Sequence, residues 1–162
     1  MTMLMTETLW KIVSYASLAL AGGVLVWILL KTKKAGLTLT DWPNTRFKYD
    51  ETILGEAFQK GGSALGGYLW LSLLLEILLC PALAAVAHNT AGIRPIRLAM
   101  YALALVRTAL GLLETLCLMR LHRKSTPGLT RFSSLLAFGK WGAFSLWVLG
   151  MFICLLVSGA KM

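Results

Sequence analysis

The residues from Gly66 to Leu118 read GGYLWLSLLLEILLCPALAAVAHNTAGIRPIRLAMYALALVRTALGLLETLCL and form an apolar hairpin. Each of its two apolar runs has about 20 residues, which at about 1.5 Å per residue matches an apolar bilayer core ~30 Å thick. Three charged residues lie inside these runs, Glu76, Arg107 and Glu114. Because an unpaired charge inside a bilayer is costly, we expect these charges to pair with charges of opposite sign.

The composition of the whole chain also indicates a membrane protein. Of its 162 residues, 57% are hydrophobic and only 14% are charged, whereas soluble domains have about 45–50% apolar and about 25% charged residues. The net charge is +9. The lysines and arginines cluster between the apolar runs and do not form one basic face, so we predict no binding of nucleic acid.

The hydropathy pattern predicts an all-α integral membrane protein with a single membrane domain, residues 1–162. Its four-helix transmembrane bundle has an up-down order, with spans over residues 9–30, 66–87, 96–119 and 132–157. The connections carry six, two and four basic residues in turn. The positive-inside rule therefore predicts that the first and third connections are cytoplasmic and that both termini lie on the non-cytoplasmic side.

The first cytoplasmic loop, residues 31–62, is the one sizeable polar segment. Asp50 is placed to cap a short helix over residues 51–60 that has apolar residues on one side. This helix is predicted either to lie in the membrane interface or to form a cytoplasmic docking surface. An interfacial segment would hold its aromatic residues at headgroup level: Trp42, Phe47, Tyr49 and Phe58.

Pro81 lies within the second span. Proline has no backbone N–H, so the carbonyl of Ile77 loses its helical partner, and the sequence predicts a helix kink there. The freed carbonyl is next to Glu76 in sequence, where a polar site can form.

The buried charges fall at matching depths of an antiparallel hairpin. Around a turn centred near Ala91, Glu76 is 15 residues before and Arg107 is 16 residues after. We therefore predict an intramembrane Glu76–Arg107 pair. Glu114 lies about two turns further along the same face. At that depth the second span offers Tyr68 and the fourth offers Lys140, so Glu114–Lys140 is a second predicted pair.

Three interpretations of these charges stay open. Paired charges fix helix register and the choice of partners in a bundle or assembly. Alternatively, Glu76, Arg107, Glu114, Lys140 and Tyr68 line a path for protons, ions or a substrate, since ionisable residues inside membranes are functional candidates. Catalysis is the third interpretation, although no nucleophile–base pair is evident in the sequence.

The cysteines and histidines predict neither a metal site nor a cofactor. The three cysteines all lie in apolar runs without a CxxC spacing, which is typical of small buried side chains. His88 and His122 end successive antiparallel spans and should lie near opposite membrane faces, too far apart to hold a haem between them.

The layout resembles that of the membrane-associated eicosanoid and glutathione metabolism (MAPEG) family. The likeness lies in the chain length, the four spans, the non-cytoplasmic termini and the long basic first loop. That family has an arginine-rich run followed by asparagine and glutamate at the start of the second span. This chain has Gly66-Gly67-Tyr68 there, and its acidic residue, Glu76, lies deeper. The resemblance implies a lipid- or glutathione-metabolising enzyme and assigns no residues.

The sequence favours a non-catalytic subunit of a larger membrane complex for transport, secretion or energy conversion. The alternatives are a small homo-oligomeric transporter or channel that uses the buried charges, and the MAPEG-like enzyme. The expected partners are the lipid bilayer and other membrane subunits or further copies of the chain. The short connections favour a bacterial inner membrane.

Overall fold

The computed structural model describes residues 2–124 and 126–159, and the described residues are helical throughout apart from short connections. The helices are α1 Thr2–Lys34, α2 Glu51–Gly61, α3 Ala64–Thr90, α4 Arg94–Arg123 and α5 Pro127–Gly159, with 3₁₀ turns at Leu39–Asp41 and Pro43–Thr45. Four of them, α1, α3, α4 and α5, are long and apolar enough to cross a membrane. Each predicted span lies within one of these four helices.

The four long helices pack in chain order and leave one side open. α1 packs along α3, α3 along α4, and α4 along α5. In the part of the chain that the structure describes, α1 and α5 do not pack along each other. The bundle is therefore a curved row of four helices with a cleft between its first and last members.

The apolar core has two parts, one at each end of the bundle. Near the segment that joins α1 to α3, Trp42, Leu54, Leu69 and Leu118 are almost fully buried. The other part lies near the α3–α4 connection, where Met100 is almost fully buried. The buried charged residues of α3 and α4, Glu76, Arg107 and Glu114, lie between these two apolar clusters.

Helix α2 forms where the sequence predicted a capped helix. Its N-cap is Asp50, whose Oδ1 accepts a hydrogen bond of 2.9 Å from the backbone N–H of Ile53. That prediction is confirmed. The C-cap residue that follows the helix is Gly62, which has φ +45°, a conformation that residues with a Cβ rarely adopt. The glycine-rich stretch thus makes the sharp turn from α2 into α3.

The expectation that the aromatic residues of this segment lie at headgroup level is wrong for two of them. Trp42 is 1% exposed and Tyr49 is 3% exposed, because both point into the bundle. The indole N–H of Trp42 donates to Thr32 Oγ1 at 3.1 Å, and its ring stacks on Tyr68 with centroids 3.7 Å apart. Residues 35–50 therefore fold back between the helix ends, and we call them the inserted loop. Phe47 remains exposed.

Pro81 lies inside α3, and the helix is continuous on both sides of it. The kink at this position stays a prediction.

Candidate functional site

Arg107 on α4 and Glu76 on α3 form an ion pair inside the bundle. Both side chains are buried. Arg107 Nη1 donates to Glu76 Oε2, and Arg107 Nη2 lies 3.4 Å from Oε1. Gly111, one turn along α4, leaves the space that this pair needs, because a Cβ there would overlap the Glu76 carboxylate. The glycine thus allows a carboxylate from α3 to lie flat against α4.

Lys140 on α5 pairs with Glu114 on α4. Lys140 Nζ lies 2.6 Å from Glu114 Oε2. The two residues are 2% and 0% exposed, so both charges are buried inside the protein. Lys140 Nζ also lies 3.9 Å from Glu76 Oε1. The two pairs are therefore continuous, and we call Glu76, Arg107, Glu114 and Lys140 the charge tetrad.

The inserted loop completes the hydrogen bonding of the tetrad. The backbone carbonyl of Asn44 accepts a bond of 2.7 Å from Lys140 Nζ. The hydroxyl of Tyr49 donates to Glu114 Oε1 at 3.3 Å and lies 2.5 Å from the hydroxyl of Ser133. Sequence reasoning missed these three residues. The available signal was the aromatic content of a polar loop, which we attributed to the membrane interface.

Tyr68 lies beside the tetrad and is held by the inserted loop. Its hydroxyl donates to the side-chain oxygen of Asn44, and its ring stacks on Trp42. The sequence predicted Tyr68 at the depth of Glu114. In the structure its hydroxyl bonds to Asn44 and not to Glu114. Tyr68 therefore connects α3 to the loop.

Tyr49 is kept in its protonated form by its surroundings. Burial raises the pKa of its hydroxyl well above the usual value near 10, and the neighbouring Glu114 carboxylate raises that pKa further. A protonated hydroxyl remains a donor, which suits its bond to the carboxylate. The loop thus presents a donor to the tetrad at every physiological pH.

Asp41 anchors the outer side of the inserted loop. Its carboxylate accepts bonds from the backbone N–H of Thr38 at 2.8 Å and from the Thr38 hydroxyl at 2.7 Å. It also lies 3.1 Å from Lys60 Nζ. These donors, the backbone N–H first, lower the pKa of Asp41 from 3.8 to about 2. The carboxylate therefore remains charged at neutral pH and links the first 3₁₀ turn to α2.

A cavity of about 690 Å³ occupies the cleft between α1 and α5. Its α1 wall is apolar and includes Leu18, Ala21 and Leu25. Three members of the tetrad line it on other sides, Glu76, Arg107 and Lys140, and the inserted loop closes one end with Thr40, Asn44 and Thr45. Glu114 does not line this cavity. Three buried charges thus face a space large enough for a small molecule.

The cysteines and histidines lie apart from this site. None of the three cysteines forms a disulfide in the described part of the chain. His88 hydrogen-bonds Tyr101 at 2.8 Å and stacks on Trp10, whereas His122 contacts Phe58 by ring edge. Among the described residues no group of three or more histidine, cysteine or acidic side chains is placed to hold a metal ion. The histidines have structural contacts at separate places.

Comparison of the chain with protein-family models, curated proteins and solved structures finds no significant match. The fold and its four long apolar helices fit a multi-pass, all-helical integral membrane protein. The likeness in layout to the MAPEG family stays a prediction.

Proposed function

We propose that this protein is a non-catalytic subunit of a larger membrane complex, which it joins through the outer faces of its helices. The observation that carries the proposal is a set of helical glycines around which the chain itself packs nothing. A Cβ placed on any of them would have no neighbouring atom within 4 Å: Gly23, Gly66, Gly67 and Gly142. Glycine inside a helix destabilises it by roughly 0.5–1 kcal/mol relative to alanine. In membrane helices such glycines are typical of surfaces where another helix approaches closely.

The tetrad supports the same function. Its two carboxylates and two cations sum to zero charge, and each charge lies next to one of opposite sign. Such a cluster holds α3, α4 and α5 in one register and fixes the inserted loop on them. Buried ion pairs specify an arrangement without adding much net stability, and a defined arrangement is what a subunit needs to present a constant surface to its partners.

We propose a bacterial inner membrane as the location, with both termini on the non-cytoplasmic side. The support is the distribution of basic residues, six, two and four along the three connections. Lys31, Lys33 and Lys34 end α1, and Arg120 and Arg123 end α4. A cysteine introduced at Lys48 should react with a membrane-impermeant maleimide only after the cells are opened, whereas one at Gly92 should react in intact cells. The reverse pattern would overturn the orientation.

The test of the subunit function is the native mass of the protein taken gently from its own host membrane. The wild-type mass should require polypeptides besides the 17.7 kDa chain. Gly23→Leu and Gly142→Leu should release those polypeptides, because each places a side chain in space that the chain leaves open. Val26→Leu and Leu146→Ile are the matched controls, since both positions are exposed and one turn away.

A mass equal to a small multiple of 17.7 kDa would overturn the subunit function. Retention of the same partners by both glycine variants would overturn the proposed surface instead. Thermal unfolding of each variant in detergent separates loss of partners from loss of fold.

A second candidate is a small transporter, favoured by the three tetrad members that line the cavity. The test is flux of protons or ions in liposomes that contain the purified chain alone. Flux above that of empty liposomes, lost in Glu76→Gln, would favour this candidate. Equal flux through wild type and Glu76→Gln would exclude the tetrad as the path for the ions tested.

A further inference from the structure

The cavity between α1 and α5 is lined by Arg107 and Lys140, and the protein accepts hydrogen bonds from only some of their N–H groups. An arginine guanidinium has five N–H donors, and Arg107 uses two of them on Glu76. Within the described residues the other three have no hydrogen-bond acceptor. Arg107 is only 8% exposed, and in a bilayer water does not reach such groups freely.

Lys140 has a donor of the same kind. Its ammonium has three N–H groups, and two of them go to Glu114 and to the Asn44 carbonyl. The next acceptor, Glu76 Oε1, is 3.9 Å away, which is beyond hydrogen-bond length. Arg107 and Lys140 both line the cavity. A molecule in the cavity should therefore present acceptor oxygens to this wall.

The charge balance indicates a neutral acceptor. The tetrad has no net charge, so a bound anion would leave one uncompensated negative charge in the bundle. Arg107 is 13 residues from the start of α4 and 16 from its end, about 20 Å and about 24 Å at the helical rise. That is the middle of the span, where an uncompensated charge is most costly. Carbonyl oxygens accept hydrogen bonds without adding charge.

The other walls indicate a flat head and an apolar tail. Trp141 and Phe144 of α5 line the cavity next to Lys140, and Leu18, Ala21 and Leu25 of α1 line the opposite side. Aromatic walls suit a planar ring. The volume of about 690 Å³ falls within the range of roughly 300–1,000 Å³ typical of small-molecule sites. Because α1 and α5 do not pack on each other, a membrane-dissolved molecule can enter from the bilayer.

We propose that this cavity binds a neutral lipid whose planar head carries carbonyl oxygens, the chemical class of the membrane quinones. The carbonyl oxygens accept from Arg107 and Lys140, and the tail lies along α1. This inference does not depend on the proposed subunit function, because it concerns a site within one chain.

The test is equilibrium binding of a radiolabelled benzoquinone with a ten-carbon tail to the purified full-length chain in phosphatidylcholine nanodiscs. Empty nanodiscs correct for partition into lipid. Binding should saturate at one quinone per chain. Decane and the ten-carbon carboxylate serve as competitors, since decane has no acceptor and the carboxylate is an anion, and neither should displace the quinone at equal concentration.

Two glycines give a matched steric pair. Gly22 and Gly23 are adjacent and both have open space at the Cβ position, but only Gly22 lines the cavity. Gly22→Phe should abolish saturable binding and Gly23→Phe should leave it unchanged. Arg107→Lys keeps the charge opposite Glu76 and removes the guanidinium donors, so the dissociation constant should rise about tenfold for one lost hydrogen bond.

Several results would overturn the proposal. Equal binding to Gly22→Phe and wild type would place the quinone outside the cavity. Displacement of the quinone by decane would show that the cavity binds any alkyl chain. Preferential binding of the carboxylate would show that it is an anion site. No saturable binding by a folded wild-type chain would show that the cavity does not bind a quinone head. Because these assays use the chain alone, their failure leaves the native-mass result unaffected.

Discussion

The tetrad predicts an asymmetric double-mutant cycle at Glu76 and Arg107. Glu76→Gln leaves the cluster with one net positive charge, and Arg107→Met leaves it with one net negative charge. The double variant returns it to zero, since Glu114 and Lys140 remain paired at 2.6 Å. Removing one partner of a buried pair destabilises by about 3–5 kcal/mol, whereas replacing both partners by uncharged side chains is often close to neutral.

The two single variants should differ because of Lys140. In Arg107→Met, the Glu76 carboxylate still has the Lys140 ammonium at 3.9 Å. At that distance and an effective dielectric constant near 20, the attraction is about 4 kcal/mol. In Glu76→Gln, Arg107 has no remaining carboxylate partner in the described structure. The free energy of unfolding should therefore fall less in Arg107→Met than in Glu76→Gln.

The assay is reversible unfolding of the purified chain in mixed micelles with increasing sodium dodecyl sulfate, followed by tryptophan fluorescence. Additive effects would lower the unfolding free energy of the double variant by about 6–10 kcal/mol, the sum of two single losses. The tetrad predicts a loss below about 3 kcal/mol. Leu74→Ala and Leu105→Ala, both at exposed positions on α3 and α4, form the control cycle and should add. Additivity in the Glu76–Arg107 cycle would refute the pairing.

Three further predictions test the parts around the tetrad. Gly111→Ala should lower the free energy of unfolding by about 1–3 kcal/mol, because the new Cβ overlaps the Glu76 carboxylate. Gly142→Ala is the control and should not lower the free energy of unfolding, because the space around Gly142 is open. Asp41→Asn should be less stable than wild type above pH 4 and equally stable below about pH 2. The reason is that folding lowers the pKa of Asp41 from 3.8 to about 2, so the stabilisation by its carboxylate is lost as pH falls through that range. A difference in unfolding free energy between variant and wild type that stays constant over an acid titration would contradict this. Tyr49→Phe should lower the free energy of unfolding by about 1–3 kcal/mol, because the hydrogen bond to a buried carboxylate is lost. Amide hydrogen exchange in residues 37–50 should also become faster. Unchanged exchange there would show that the hydroxyl does not hold the loop.

Much of the geometry of the tetrad follows from spacing along the hairpin. Glu76 and Arg107 are nearly equidistant from the α3–α4 turn, so an antiparallel pair of helices brings them to the same depth whatever else packs around them. The positions of Glu114 and Lys140 along the third and fourth spans likewise place them at a common depth. The absence of a side chain at Gly111 leaves space on α4, and the Glu76 carboxylate fills it.

The inserted loop could not be predicted in this way. Its hydrogen bonds join Asn44 and Tyr49 to residues 65 to 96 positions away, and no local pattern indicates such a partner. Polar segments rich in aromatic residues occur both at membrane interfaces and in buried loops. Only the packed helix ends, which leave room for Trp42 against Tyr68, favour the buried arrangement here.

The sequence by itself determined the four apolar helices and the depth of their charges, because hydropathy and helical rise act along the chain and need no knowledge of packing. The tertiary structure decided which helices touch. It joined the two predicted ion pairs into one neutral cluster and placed the loop on it. It also left α1 apart from α5, so that three of the charges face a cavity. Those features depend on contacts between residues far apart in the chain, whose energies exist only once the helices have packed.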